Sequence, residues 1–216
     1  MVEETFDAGA EFDRQVRVLI ELGYPAVAQL SREDFGELVA PLRAQAVAHG
    51  GGIDLEAGRV PFVLVVAREV VPIEAAMELT VLHGGKKPGF VDRSFEPGSL
   101  ERFVAVEEAR PPGRKAHLLL DVERGEEFCN AVPQDALDVI ARRDRTPLTI
   151  EEGVALLTLF PQVLVQNKCF SLGGSRCGDR RVPAIWISRR APKLGWCWVG
   201  NPHTWLGMAS AGGRTA

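Results

Sequence analysis

Residues 60–67, Val-Pro-Phe-Val-Leu-Val-Val-Ala, are apolar at every position and rich in β-branched side chains. Successive strand residues point to opposite faces, so an apolar run without alternation reads as a strand covered on both sides. This segment excludes a sheet with one wet face and demands packing material above and below. The segment after Thr149 offers some of it. Thr149-Ile-Glu-Glu152 has the spacing of a capping box. In the helix that it opens, Ile150, Val154 and Leu157 lie on one side, and Leu156, Leu159 and Phe160 carry the apolar surface most of the way round. A helix apolar on most sides is buried.

Weaker signals fill in the rest. Phe12, Val16, Leu19 and Ile20 recur at helical spacing and predict a helix over 11–22, stopped by Gly23 and kept from continuing by Pro25. Ser31 is a good N-cap, followed by Glu33 and Asp34 and by the stripe Phe35, Leu38, Val39 and Leu42. Pro41 should kink that helix or end its regular part. Residues 84–99, rich in Gly and Pro, read as a long loop, and 116–122 as a strand with His117, Leu119 and Asp121 on one face. Pro133–Arg142 reads as a helix with its proline in the first turn. Residues 182–188 and 194–200 read as two strands joined by a basic loop containing Pro192. Each capped helix is later followed by Arg-Val-Pro and an apolar strand, at residues 59–61 and 181–183, which hints at a duplicated helix–strand unit.

Helices and strands do not alternate regularly enough for a doubly wound fold. The expectation is an α+β fold with a mixed or mainly antiparallel sheet and helices on at least one face. It forms a single domain over 1–216, with 1–110 and 111–216 as its two halves if the duplication holds. The acidic N-terminal stretch lacks the basic and apolar regions of a secretory signal, and no apolar run is long enough to span a bilayer. Four cysteines in such a chain read as reduced thiols in the cytoplasm, with no membrane partner.

The stretches Glu11-Phe-Asp-Arg-Gln-Val, Glu21-Leu-Gly-Tyr-Pro, Asn167-Lys-Cys-Phe, Ser175-Arg-Cys-Gly-Asp-Arg-Arg-Val-Pro-Ala and Ala191-Pro-Lys-Leu-Gly-Trp-Cys-Trp-Val-Gly-Asn-Pro-His-Thr-Trp-Leu-Gly resemble an uncharacterised family of actinobacterial proteins. The resemblance covers nearly the whole chain. It implies a bacterial, cytoplasmic setting and transfers no activity, cofactor or functional residue.

Several familiar chemistries are missing. There is no phosphate-binding P-loop, no dinucleotide fingerprint after a strand, and no H-E-x-x-H. Ser175 lacks the frame of a nucleophile elbow. Cys169 and Arg176 are separated by six residues, one more than the thiolate–arginine loops that enclose a phosphoryl group, and catalysis depends on such placement. Cys169, Cys177, Cys197 and His203 lack the close pairing of structural zinc ligands, so no metal and no cofactor is expected. His83-Gly-Gly-Lys-Lys87 reads as a surface turn. Asp121, Glu123, Glu126 and Glu127 read as a solvated turn, or as carboxylates for Mg2+ or acid–base work.

What remains is concentrated near the C-terminus. Residues 166–216 carry eight Lys and Arg against Asp179 alone, in a chain of net charge −4. Such a block either binds anions or packs against the acidic remainder of the chain. All four tryptophans lie in the same region. Trp196 and Trp198, two apart on a strand, point the same way, and the register decides whether Trp186 joins them. They form either an aromatic platform for a flat ligand or part of the core, under the helix that starts at Thr149. The leading reading is a binding module for a small anionic or flat ligand, centred where the loop 171–181 meets residues 194–205. Its candidate residues are Arg176, Arg180, Arg181, Trp186, Trp196, Trp198, Asn201, His203 and Trp205. One of Arg180 and Arg181 should pair with Asp179 and the other face the ligand. The rivals are an enzyme using Cys177, whose basic neighbours favour the thiolate, or His203, and a protein- or nucleic-acid-binding subunit using the basic surface.

Overall fold

A computed structural model describes residues 6–216. Helix α1 (Ala8–Leu22) begins earlier than its apolar stripe, because the Asp7 side chain accepts from the Ala10 N–H and caps it. Gly23, at φ 94°, closes it in the left-handed conformation that glycine tolerates best. Pro25 does not merely stop the chain but sits in the first turn of a short new helix, α2 (Tyr24–Val27). Ser31 and Asp34 form a reciprocal cap on α3 (Arg32–Val39). Its regular part ends just before Pro41, and α4 (Arg43–His49) follows.

Strand β1 (Arg59–Val66) is buried at every position after the first. It leads through α5 (Ile73–Glu78) to the two-residue strands β2 (Phe90–Val91) and β3 (Val104–Ala105), then to β4 (Ala116–Glu123). Next come α6 (Pro133–Arg142), β5 (Thr146–Pro147) and α7 (Ile150–Leu159). The chain continues through β6 (Cys169–Ser171), β7 (Ser175–Arg176), β8 (Arg181–Ser188), β9 (Ala191–Trp198) and β10 (Leu206–Met208) to β11 (Ser210–Ala211) and β12 (Gly213–Thr215).

The strands form an α+β fold with two five-stranded sheets and one two-stranded sheet. The first runs β1-β4-β11-β5, with β12 also on β4; its pairings are antiparallel. The second runs β10-β6-β8-β9-β2 and is mixed, because β10 and β2 pair in parallel with β6 and β9. The third pairs β3 with β7. Each sheet therefore joins strands from both sides of residue 110.

Helix α7 is nearly all buried, as its apolar circumference demands, with the Thr149–Glu152 capping box intact. One main core runs from Phe12 through Phe62, Leu118 and Leu156 to Ile185 and Ala211; Phe128, Ile140, Val182 and Met208 form a smaller one under α6. The hairpin differs from expectation in one respect. Strand β9 starts at Ala191, so the basic stretch is not a loop and only Arg189 and Arg190 form the turn. Pro192 is tolerated in the strand because even positions of β9 address β2. Leu194 accepts there from the Asp92 N–H, and the β2 ladder begins only opposite Lys193, beyond Pro192.

Candidate functional site

The register of the β8–β9 hairpin sorts the aromatic residues. Directly opposed residues share a face. Arg181 opposes Trp198 and Pro183 opposes Trp196, whereas Trp186 opposes Lys193. Trp186 therefore lies on the opposite face from Trp196 and Trp198. On the first face the Trp196 and Trp198 rings meet edge-on at 4.8 Å, and the Arg181 guanidinium lies over both Trp196 and Phe103 at 5.5 and 5.3 Å. The cover on Trp196 thus includes an arginine held against Phe103, while Trp198 remains 45% exposed. On the other face Trp186 packs edge-on against Trp205 at 6.0 Å, with Lys193 above it and His203 5.3 Å from Trp205.

Arg181 is the arginine that pairs with Asp179, its Nε donating to Oδ2 at 2.8 Å; Arg180 is exposed, with no ion pair among the described residues. Arg176 donates to the Asp179 carbonyl at 3.0 Å. The Cys177 thiol lies 3.2 Å from Asp179 Oδ1 and 3.5 Å from Arg181 Nη2. Asn201 is exposed, and its N–H bonds to the Trp198 carbonyl; the His203 carbonyl accepts from Asn130 and Leu206. The segment is thus a turn held largely by backbone bonds. Burial pushes the Cys197 thiol up to about 11.

Four of the eight cations of the basic block are ion-paired, three of them with the acidic remainder of the chain. Lys168 pairs with Glu126, Lys193 with Asp92 and Arg214 with Glu152, besides Arg181 with Asp179. The acidic run on and after β4 is also matched: Asp121 meets His49, Glu123 meets Arg59 and Arg145, and Glu127 meets Arg143.

The most concentrated polar chemistry lies elsewhere, beneath the start of α7. Glu152 is fully buried and is met by four nitrogens from three residues. Arg214 donates through Nε at 2.6 Å and Nη2 at 2.8 Å, the Thr149 N–H at 2.8 Å, and His117 Nε2 lies 3.2 Å away. Arg214 also bonds Thr146 Oγ1 at 2.6 Å and the Pro147 carbonyl at 3.1 Å. Burial raises the Glu152 carboxyl, but the bonds from His117 and Arg214 outweigh it and hold the group below the ordinary carboxylate range. An ionised carboxylate only accepts, so His117 carries its hydrogen on Nε2. That leaves Nδ1, which is buried and has no hydrogen-bond partner among the described residues.

His117 lines a cavity of about 520 Å³ bounded by Arg68 at the end of β1, Glu151 of α7, Val104 of β3, and Arg114 and Lys115 ahead of β4. Glu151 bonds Arg68 through Oε1, while its Oε2 is buried without a partner among the described residues. Arg114 and Lys115 are exposed and make no ion pair among the described residues. The loop 171–176 supports this cavity from behind. Strand β7 pairs with the cavity-lining β3, and Ser175 Oγ accepts the Ile150 N–H at the start of α7. Gly174 is needed there, since a Cβ would stand 2.6 Å from the Pro147 carbonyl oxygen.

None of the hairpin candidates lines this cavity. Sequence reasoning missed it because each component had a sufficient local explanation: Glu152 as a cap, His117 as one strand residue, Arg214 as one more cation of a basic block. The available signal was His117, a polar side chain among the apolar residues of β4 that would need a buried partner.

Residues 18–216 match the model of a protein family described as of unknown function, DUF5701. No curated protein and no solved structure matches the chain.

Proposed function

Because the chain belongs to DUF5701, a family of unknown function, its chemistry has to be read from its own side chains, and we propose that it binds a small polar metabolite in the cavity between Arg68, His117 and Glu151. One observation carries this reading: two buried polar atoms of cavity-lining residues, His117 Nδ1 and Glu151 Oε2, have no hydrogen-bond partner among the described residues. An unmade bond at a buried polar atom costs about 1–3 kcal/mol, and a ligand that supplies the donor recovers it. Glu151 Oε2 accepts, and so does His117 Nδ1 in the tautomer with one hydrogen on Nε2, so the ligand brings hydroxyl or ammonium hydrogens to the floor. The exposed rim carries Arg114 and Lys115 together with Glu69 and Glu101, so it suits a ligand that bears both charges. A volume of about 520 Å³ suits a molecule of metabolite size.

A thermal-shift screen of amino acids, hydroxy acids and sugar acids tests this reading on the native chain and on Glu151→Gln, which keeps an oxygen for Arg68. A compound should raise the melting temperature of the native chain and lose most of that effect on the variant. Stabilisation that survives both Glu151→Gln and His117→Gln would place binding elsewhere.

A second reading rests on Trp198, whose ring is 45% exposed and close in sequence and pairing to the exposed Arg180. A flat anion stacked there would quench tryptophan fluorescence, and Trp198→Ala would abolish the quench while leaving Glu151-dependent stabilisation intact.

A further inference from the structure

The β8–β9 turn places charge where the backbone disfavours it. Ser188 opposes Ala191, so Arg189 and Arg190 form a two-residue loop, and their φ angles are 53° and 61°. Two-residue hairpin loops with both φ positive normally take Asn-Gly, Asp-Gly or Gly-Gly, because a side chain is strained there. An arginine at each position gives up stability that ordinary turn residues would retain. Strain kept in a native chain tends to mark a functional position.

The turn has a second basic segment beside it. Strand β2 runs parallel to β9 with Phe90 opposite Lys193, which carries the preceding Lys86 and Lys87 alongside the turn. Lys87 Nζ donates to the Arg189 carbonyl at 2.8 Å and ties the two segments together. Lys86, Lys87, Arg189 and Arg190 are all exposed, and none makes an ion pair among the described residues. Asp92, just beyond β2, is already taken by Lys193. Four permanent cations thus converge from positions about a hundred residues apart, in a chain of net charge −4.

We propose that this tip docks on the phosphate backbone of a nucleic acid. The charges point outward rather than into an enclosed space, which suits an extended polyanion with repeating charge better than a single small anion. Among the described residues the exposed large apolar side chains are Val47, Ile53, Val104, Val165 and Trp198, none of them on the tip. It therefore lacks the apolar wedge that usually accompanies basic residues in surface attachment to a bilayer. The contacts are to backbone phosphates, so binding is insensitive to sequence.

The test is fluorescence anisotropy of a short labelled DNA duplex with the full chain, native and Arg189→Asn/Arg190→Gly. That variant removes two charges and installs the residues the turn favours, so it should melt no lower than the native chain. The native chain should bind at low salt and lose affinity on the order of 100-fold between about 50 and 200 mM salt, as expected for up to about four phosphate contacts. The variant should bind at least about tenfold more weakly. Absence of binding at low salt, or equal binding by the variant, overturns the proposal. Binding to anionic phospholipid vesicles without binding to the duplex overturns it in favour of a membrane surface. Glu151→Gln should leave duplex binding unchanged, so the cavity and the tip fail independently.

Discussion

Replacing Arg214 by Met removes the guanidinium from a site where both partners are out of solvent, Arg214 at 8% and Glu152 at 0% side-chain exposure. The variant loses two charge-assisted bonds to Glu152 and those to Thr146 and Pro147. Glu152 keeps the Thr149 N–H and His117 but stays buried with its charge no longer matched by a fixed cation. Breaking a buried pair from one side costs about 3–5 kcal/mol, a large part of the roughly 5–15 kcal/mol that holds a domain folded. Solvent screening calls for no discount at this burial. The penalty should depend on pH. Glu152 titrates lower in the folded chain than the ordinary 4.5, so its stabilisation is present above that pH and is lost as pH falls through the folded value. Without Arg214 that advantage disappears, so the gap between variant and native chain should be largest at neutral pH and narrow below about pH 4.5. Urea denaturation at neutral and acidic pH measures both quantities. Adding Glu152→Gln to the variant should restore part of the loss, since glutamine can still cap α7. A loss under about 1 kcal/mol, the range of a surface pair, would refute the reasoning. So would a loss that does not change with pH.

Other outcomes follow from the same contacts. Arg189→Asn/Arg190→Gly should raise stability by about 1–2 kcal/mol through relief of two left-handed residues, read as a higher urea midpoint at unchanged slope; a lower midpoint would mean that the arginine side chains hold the turn. Gly174→Ala should cost about 1–3 kcal/mol, because the new methyl would press on the Pro147 carbonyl, and a neutral result in thermal melts would contradict that close approach. Native-state alkylation near pH 8 should label Cys177 before Cys197, whose thiol is held up to about 11 by burial; the reverse order in mass spectra would contradict the burial of Cys197.

The scaffold was more legible than the site, for physical reasons visible at particular residues. Strand β1 and helix α7 announce themselves because each is apolar beyond what one covered face needs, and the capping box at Thr149 and the N-cap at Ser31 are local patterns within four residues. Strands β2 and β3 have two residues each and carry no periodicity; they exist because β9 and β7 offer them edges. The hairpin was visible, yet its register was not, and register alone puts Trp186 on the face away from Trp196. The buried network needs still more distant information. Arg214 reaches Glu152 because β12 pairs with β4 next to His117, with Thr215 opposite Leu118. No spacing in the sequence encodes that meeting. The charge asymmetry left anion binding and internal packing both open; three of the eight C-terminal cations, Lys168, Lys193 and Arg214, pair with the acidic remainder of the chain.

The cavity reading stands most directly on the ring nitrogens of His117. A 15N spectrum of the four histidines, assigned by replacing each in turn, should show His117 with hydrogen on Nε2 and a free lone pair on Nδ1 at neutral pH. Titration with the compound that most stabilises the chain should move the His117 Nδ1 signal toward that of a hydrogen-bonded acceptor, with His49, His83 and His203 unmoved. A His117 signal that stays fixed while the His203 signal shifts would contradict the account and return the binding site to the aromatic hairpin.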